Sequence, residues 1–247
     1  LLGTANSVLD KAAGKGVIIA QNQEEATEAI HSMFSEKKFG SAGEKIVVEE
    51  YLEGPELTIL AFTDGQTARP MVSSRDHKRA YDNDEGKNTG GMGAVTPGAD
   101  LTEDQENVIQ NDIIEATIRA LKDEGAPFEG VLYFGLILTQ NGPKVIEYNA
   151  RFGDPEAQAI LPRLENDLLE VFEACIDHTL DKITLSFKPG ASCCVVMASG
   201  GYPQKYQVGY EISGLENSDY LVFHAGTKQV YNRIVTSGGR VLCVYAD

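Results

Sequence analysis

V-I-E-Y-N-A-R-F-G-D-P-E, residues 145–156, is the stretch on which the reading of this chain turns. It follows an Asn141-Gly142 pair and the apolar run Val131 to Leu138, so it reads as the second strand of a β-hairpin. Side chains alternate along a strand, which predicts Glu147, Asn149 and Arg151 on one face. A carboxylate, an amide oxygen and a guanidinium form a poor apolar surface. They suit a hard cation and the phosphates that complete its shell, with the Arg151 fork offered to a phosphate or carboxylate. Gly153-Asp154-Pro155-Glu156 then predicts a helix start, with Asp154 as N-cap and Pro155 in the first helical position.

Working outward, the 247 residues can bury a sizeable core in one large or two smaller domains. A hydrophobic content of 42% and a charged content of 23% are those of a globular chain. A net charge of −16 argues against a general binder of nucleic acid or anionic membrane. No apolar run approaches the ~20 residues needed to span a bilayer, and residues 1–9 lack the basic start of a signal peptide. Cys175, Cys193, Cys194 and Cys243 show no C-x-x-C spacing and read as free thiols of a cytoplasmic protein.

Upstream, Ala12-Ala13-Gly14-Lys15-Gly16-Val17 is a small flexible loop with one ammonium, suited to closing over phosphates. It lacks the first Gly and the Ser/Thr of a P-loop. Residues 1–11 show no clear period. Asn22 and Glu25 predict a capped helix with Ala26, Ala29, Ile30, Met33 and Phe34 as its buried stripe. Ile46 to Leu52 reads as a strand, and Glu49-Glu50-Tyr51-Leu52 as a hinge between lobes whose backbone can pair with an adenine edge, with Glu56 placed for ribose hydroxyls. Leu57 to Phe62 and Thr67 to Ser73 read as strands around Asp64-Gly65.

A long polar stretch follows. Arg75-Asp76-His77-Lys78-Arg79 stands before Asn88-Thr89-Gly90-Gly91-Met92-Gly93, and a basic cluster beside a glycine-rich loop suggests an anion pocket. Thr102 and Gln105 predict a second capped helix with Ile109, Ile113, Ala116 and Ala120 inward, stopping at Gly125. Asp167 opens a third, with Leu168, Phe172, Cys175 and Ile176 inward. From Ser192 onward the pattern is of short strands: 193–198, 221–225, 234–236 and 241–245.

In this order the motifs A-A-G-K-G-V, E-E-Y-L-E-G, D-H-K-R, N-T-G-G-M-G, V-I-E-Y-N-A-R-F-G-D-P-E, V-V-M-A-S-G-G-Y-P and F-H-A-G-T-K closely resemble the phosphoribosylamine–glycine ligase (glycinamide ribonucleotide synthetase) family. The resemblance runs from Ala12 to the end and implies an α+β, ATP-grasp fold, in which two lobes hold ATP, with a small β-rich C-terminal unit. It implies a small lobe at residues 1–53, a large lobe at 54–187 and a partial C-terminal domain at 188–247. The implied reaction joins glycine to 5-phosphoribosylamine through glycyl phosphate, giving glycinamide ribonucleotide, ADP and phosphate.

By the same resemblance Lys15 and Gly16 cover the phosphates, and Glu49, Glu50, Tyr51, Leu52 and Glu56 bind adenine and ribose. Glu147 and Asn149 hold Mg²⁺ or Mn²⁺. Asp76, His77, Lys78, Arg79, Asn88, Thr89, Gly90, Gly91, Met92, Gly93, Arg151 and Asp154 wall the substrate site. Lys15, His77, Lys78, Arg151 and Asp154 serve the transfer itself. The family is longer at both ends, and its usual nucleotide-binding lysine falls here on Ser7. Two other readings stand beside the ligase at this stage: an ATP-binding but catalytically incomplete fragment of it, and another ATP-grasp carboxylate–amine ligase.

Overall fold

A computed structural model of the chain describes residues 4–8, 18–36 and 46–247. The predicted loop with Lys15 and Gly16 lies outside the described residues. The chain divides into two compact units, Leu1–Gly54 and Pro55–Asp247.

In the first unit, β1 (Thr4–Val8) pairs antiparallel with both β2 (Ile18–Ala20) and β3 (Ile46–Glu50). The N-terminal segment, which has no period in sequence, is thus the middle strand. Helix α1 (Gln23–Phe34) starts as expected, the Asn22 side chain accepting from the Glu25 N–H at 2.9 Å. Glu25 reaches back one residue further than a capping box requires, to the Gln21 N–H at 2.8 Å. Its stripe is narrower than the sequence suggests: Ala29 and Met33 are buried, whereas Ile30 and Phe34 are 41% and 44% exposed. Both lie on the flank of the stripe rather than at its centre.

The second unit is built on an antiparallel sheet ordered β11-β10-β4-β5, formed by β4 (Glu56–Asp64), β5 (Ala68–Pro70), β10 (Glu129–Thr139) and β11 (Gly142–Asn149). Strand β4 is buried continuously after Glu56 because both of its faces are covered. Leu57, Ile59 and Ala61 meet Ile109, Ile113, Ile114 and Ile118 of a long helix on one face. Leu60 and Phe62 meet Val171, Ala174 and Cys175 on the other.

That long helix comprises α2 (Glu103–Asn107), a π-helical segment (Val108–Glu115) and α3 (Ala116–Asp123). The Thr102–Gln105 capping box is present. The wide turns of the π segment rotate the following residues, so Ile114 and Ile118 are buried and Ala120 faces solvent, contrary to the regular 3.6-residue period. The helix ends on Gly125 at φ 74°, with Ala126 N–H donating to the Leu121 carbonyl.

Between these elements the polar stretch is ordered into β6 (Arg75–Asp76), β7 (Arg79–Tyr81), β8 (Glu85–Asn88) and β9 (Gly93–Thr96). After the hairpin come α4 (Glu156–Ile160) and α5 (Leu168–Ile176), where Val171, Ala174 and Cys175 are buried. Ile176, expected inward, is 68% exposed in the last turn of α5, beyond the residues that meet the sheet. The C-terminal strands are β12 (Ser192–Ala198), β13 (Glu211–Ile212), β14 (Leu221–His224), β15 (Thr227–Val230), β16 (Arg233–Thr236) and β17 (Arg240–Ala246). They form a small sheet β13-β16-β15 and a larger one, β14-β17-β12-β9-β6, which takes in β6 and β9 of the polar stretch, while β7 and β8 pair with each other. All four cysteines are free thiols. Among the described residues no helix is long and apolar enough to cross a membrane.

Candidate functional site

The hairpin forms as the sequence predicts, but β10 and β11 slip register between Gly135 and Leu136, so that Gly135 faces Glu147 while Leu136 faces Val145. A Cβ on Gly135 would lie 2.9 Å from Glu147 Cγ, so the bare backbone makes room for the Glu147 side chain. Glu147 and Asn149 project side by side, Asn149 Nδ2 lying 3.5 Å from Glu147 Oε1. Arg151 lies beyond the end of the strand. The strand ends at Asn149, alternation stops with it, and the Arg151 guanidinium donates instead to the Phe152 carbonyl at 2.8 Å.

The D-H-K-R and N-T-G-G-M-G motifs are held back to back by backbone bonds. His77 N–H donates to the Gly93 carbonyl at 2.9 Å and Met92 N–H to the His77 carbonyl at 2.7 Å. Thr89 donates to the Lys78 carbonyl from both its N–H and its hydroxyl. Along this extended segment the side chains diverge. Lys78 Nζ meets Glu56 Oε2 at 2.5 Å, Arg79 bonds the Gly86 carbonyl across the β7–β8 hairpin, and His77 and Asn88 are exposed. The basic run is therefore not one cationic cluster.

Carboxylates crowd Lys78. Burial lowers its affinity for the proton, but the Glu56 hydrogen bond and charge, with Asp76 and Glu147 behind it, more than compensate and hold the ammonium above its ordinary pKa. Asp76 is pushed up to about 7, first by burial and then by the Glu156 charge, against the pull of Lys78 and Arg240. Its Oδ1 is buried with no hydrogen-bond partner.

Glu156 is 3% exposed and accepts from the Thr58 hydroxyl at 3.4 Å, and Thr58 in turn bonds Tyr133 at 3.0 Å. Burial and the Glu156 charge drive the Tyr133 phenol up. Gly153 packs on this carboxylate, since a Cβ there would stand 2.3 Å from Glu156 Oε2.

Asp154 is not the side-chain cap that the sequence suggests. Pro155 occupies the cap position of α4, and the Asp154 carboxylate is engaged by Gln158 Nε2 and by Arg240, each at 2.8 Å. Arg240 was not legible as a site residue, because nothing around S-G-G-R distinguishes it locally from any arginine after a turn. Tyr202, whose hydroxyl accepts from the Gly90 N–H at 3.0 Å, and the buried Glu156 were missed likewise. The only signal for Glu156 was an acid placed between Pro155 and the small and apolar residues of a helix start.

A family model described as phosphoribosylglycinamide synthetase, ATP-grasp (A) domain, matches residues 6–157, and the C domain of the same synthetase matches residues 192–247. The chain belongs to the phosphoribosylglycinamide synthetase family. Among its relatives, a phosphoribosylamine–glycine ligase of Halalkalibacterium halodurans is 52% identical over 235 residues, which cover 94% of this chain and 54% of that protein. A trifunctional purine biosynthetic protein adenosine-3 of Gallus gallus is 50% identical over 95% of this chain and 24% of its own length.

The synthetase-family crystal structure from Thermotoga maritima, a phosphoribosylamine–glycine ligase, superposes with a TM-score of 0.86 at 31% identity, over 100% of this chain and 61% of that one. A biotin carboxylase domain from Hydrogenobacter thermophilus, 17% identical with a TM-score of 0.68, shares the fold. The fold is thus the α+β, ATP-grasp fold. The chain spans about half the length of the single-function ligases it matches.

Proposed function

We propose that the chain carries the ATP-dependent ligation of glycine to 5-phosphoribosylamine, giving glycinamide ribonucleotide, ADP and phosphate, as part of purine biosynthesis in the cytoplasm. The observation that carries this reading is the meeting of three motifs in one unit, tied by Glu56 and Arg240. Lys78 of D-H-K-R is paired with Glu56 and lies within the field of Glu147, while the N-T-G-G-M-G loop is bonded to the D-H-K-R backbone and, through Arg240, to Asp154. Relatives about half identical to this chain bear the ligase name.

The donor set at Glu147 and Asn149 fits a hard divalent cation such as Mg²⁺ or Mn²⁺: one carboxylate and one amide, adjacent and accessible to solvent, so that phosphates and water can complete the shell. When bound, such an ion neutralises charge on the transferring phosphoryl group. Lys78 adds a fixed positive charge beside it. Asp76 and Asp154 present carboxylates suited to the ammonium end of glycine or to the attacking amine.

The peptide groups of Asn88 to Gly93 and the side chains of His77, Arg79 and Arg151 line the acceptor side in this reading. Glu49 to Leu52 and Glu56 serve adenine and ribose, and Lys15 and Gly16 the phosphates. The chemistry asks for no protein nucleophile, because phosphorylation already converts the poor leaving group of a carboxylate into phosphate; positioning and charge do the rest.

The test is product formation. The purified chain is incubated with ATP, Mg²⁺, glycine and freshly generated 5-phosphoribosylamine, and glycinamide ribonucleotide is measured by mass spectrometry. ADP release that requires both glycine and the amine supports the reading. Equal ADP release with other amino acids, or with glycine and no amine-dependent product, refutes it.

A further inference from the structure

Arg240 sits 150 residues from the glycine-rich loop in sequence, yet its guanidinium grips that loop and the G-D-P-E segment together. Nη1 donates to the Gly90 carbonyl at 2.6 Å and the Asp154 carbonyl at 2.9 Å, with the Gly91 carbonyl at 3.4 Å. Nη2 donates to Asp154 Oδ2 at 2.8 Å. From the same C-terminal segment Tyr202 takes the other side of the Gly90 residue, its hydroxyl accepting from the N–H. Gly239 lets the Tyr202 ring lie flush with the backbone, since a Cβ there would stand 2.3 Å from Tyr202 Cδ2. Both polar groups of Gly90 are thus held by residues of β17 and the loop after β12.

A docking contact could rest on any exposed backbone. This one rests on two glycines and one carboxylate that line the proposed acceptor site, and Gly90 leaves only 3.1 Å between a notional Cβ and the guanidinium carbon. A flexible Gly-Gly pair has no rigidity of its own. A planar fork with five donors can fix it to a second element, which a lysine ammonium cannot do.

We infer that Arg240 is a positioning residue for the ligation, holding Gly90-Gly91 and Asp154 at a fixed separation so that the amine-side substrates are bound and aligned. The inference rests on the ligase reading above. Among the described residues the hydrogen bonds of Arg240 go to Gly90, Gly91 and Asp154 and not to the Glu147–Asn149 pair, so its loss is selective: the acceptor side loosens while ATP binding does not.

Arg240→Ala, Arg240→Lys and Tyr202→Phe are made in the intact chain and compared with wild type by steady-state kinetics, each substrate varied in turn. Arg240→Ala is expected to raise KM for glycine and the amine about tenfold or more while KM for ATP stays within about twofold. Added methylguanidinium should restore part of that loss, and Arg240→Lys should recover less than the rescued Ala variant. Tyr202→Phe, which removes one hydroxyl, carries the same pattern at smaller size and keeps the test alive if Arg240→Ala does not fold. A uniform fall in kcat with all KM values unchanged and no rescue, or an equal rise in the KM for ATP, overturns the role in favour of simple docking. Wild type that makes no product refutes the ligase reading itself; active wild type with kinetically silent variants refutes Arg240 alone.

Discussion

Lys78 Nζ and Glu56 Oε2 stand 2.5 Å apart, joining the strand that opens the second unit to the D-H-K-R motif. Both side chains are more than a third exposed, so the pair contributes little to stability. Its value lies in aiming an ammonium that Asp76 and Glu147 also hold charged. Lys78→Met is therefore expected to lower kcat by about 10²-fold, the scale of losing one preorganised charge in a site. Its urea midpoint should stay near that of wild type. Single-turnover kinetics with ATP and glycine check the first expectation and equilibrium unfolding the second.

Glu147→Gln keeps the shape of the hairpin face and removes the anionic member of the proposed metal site. The requirement for free Mg²⁺ should rise by about tenfold or more, since even outer-shell partners of a metal ligand count on that scale. Asn149→Ala should do the same, and if both groups serve one ion, as proposed, the two changes together should fall short of additivity. Manganese titration by electron paramagnetic resonance reads the affinity without turnover. Unchanged affinity in both variants would remove the pair from the metal assignment.

Gly153→Ala should destabilise the chain by about 1–3 kcal/mol, the usual cost of forcing extra volume into a packed site. The new Cβ would stand 2.3 Å from Glu156 Oε2, and that carboxylate is buried on Thr58, with no room to retreat into solvent. Glu156→Ala in the same background should relieve the overlap, giving a coupling term of opposite sign. Urea unfolding of the four chains of the cycle measures it.

What the sequence discloses here is what is local. The Asn141-Gly142 turn, the adjacency of the Glu147 and Asn149 side chains and the Thr102–Gln105 cap are each settled by residues a few positions apart, and each stands as read. Strand β9, G-A-V-T, is too short and too glycine-marked to show a period, and it becomes a strand because β12 and β6 pair with it. The π segment shifts the buried face of its helix in a way no 3.6-residue count anticipates. Arg240 on Asp154, and Glu156 beside Asp76, are meetings of distant segments, decided by sheet order rather than by any run of letters.

Asp76 ties that buried arrangement to pH. In the folded chain its carboxyl holds a proton up to about pH 7, against 3.8 for an ordinary aspartate, because burial and the neighbouring Glu156 disfavour the charge. Between those two values the folded state binds the extra proton, so raising the pH favours unfolding. The stabilising contribution of the protonated form is complete below pH 4 and is lost by about pH 7. Asp76→Asn replaces the carboxyl with a neutral amide of the same shape, and its advantage in Tm over wild type should grow steadily across that range and level off above it. Calorimetric scans at half-unit steps from pH 4 to pH 8, without nucleotide or divalent ions, follow the difference. Parallel Tm profiles for the two chains would show that Asp76 titrates as an ordinary surface acid. Adding Mg²⁺ without nucleotide places positive charge near Glu147 only if the metal assignment holds, and the pH-dependent gap should then narrow for wild type and not for Glu147→Gln.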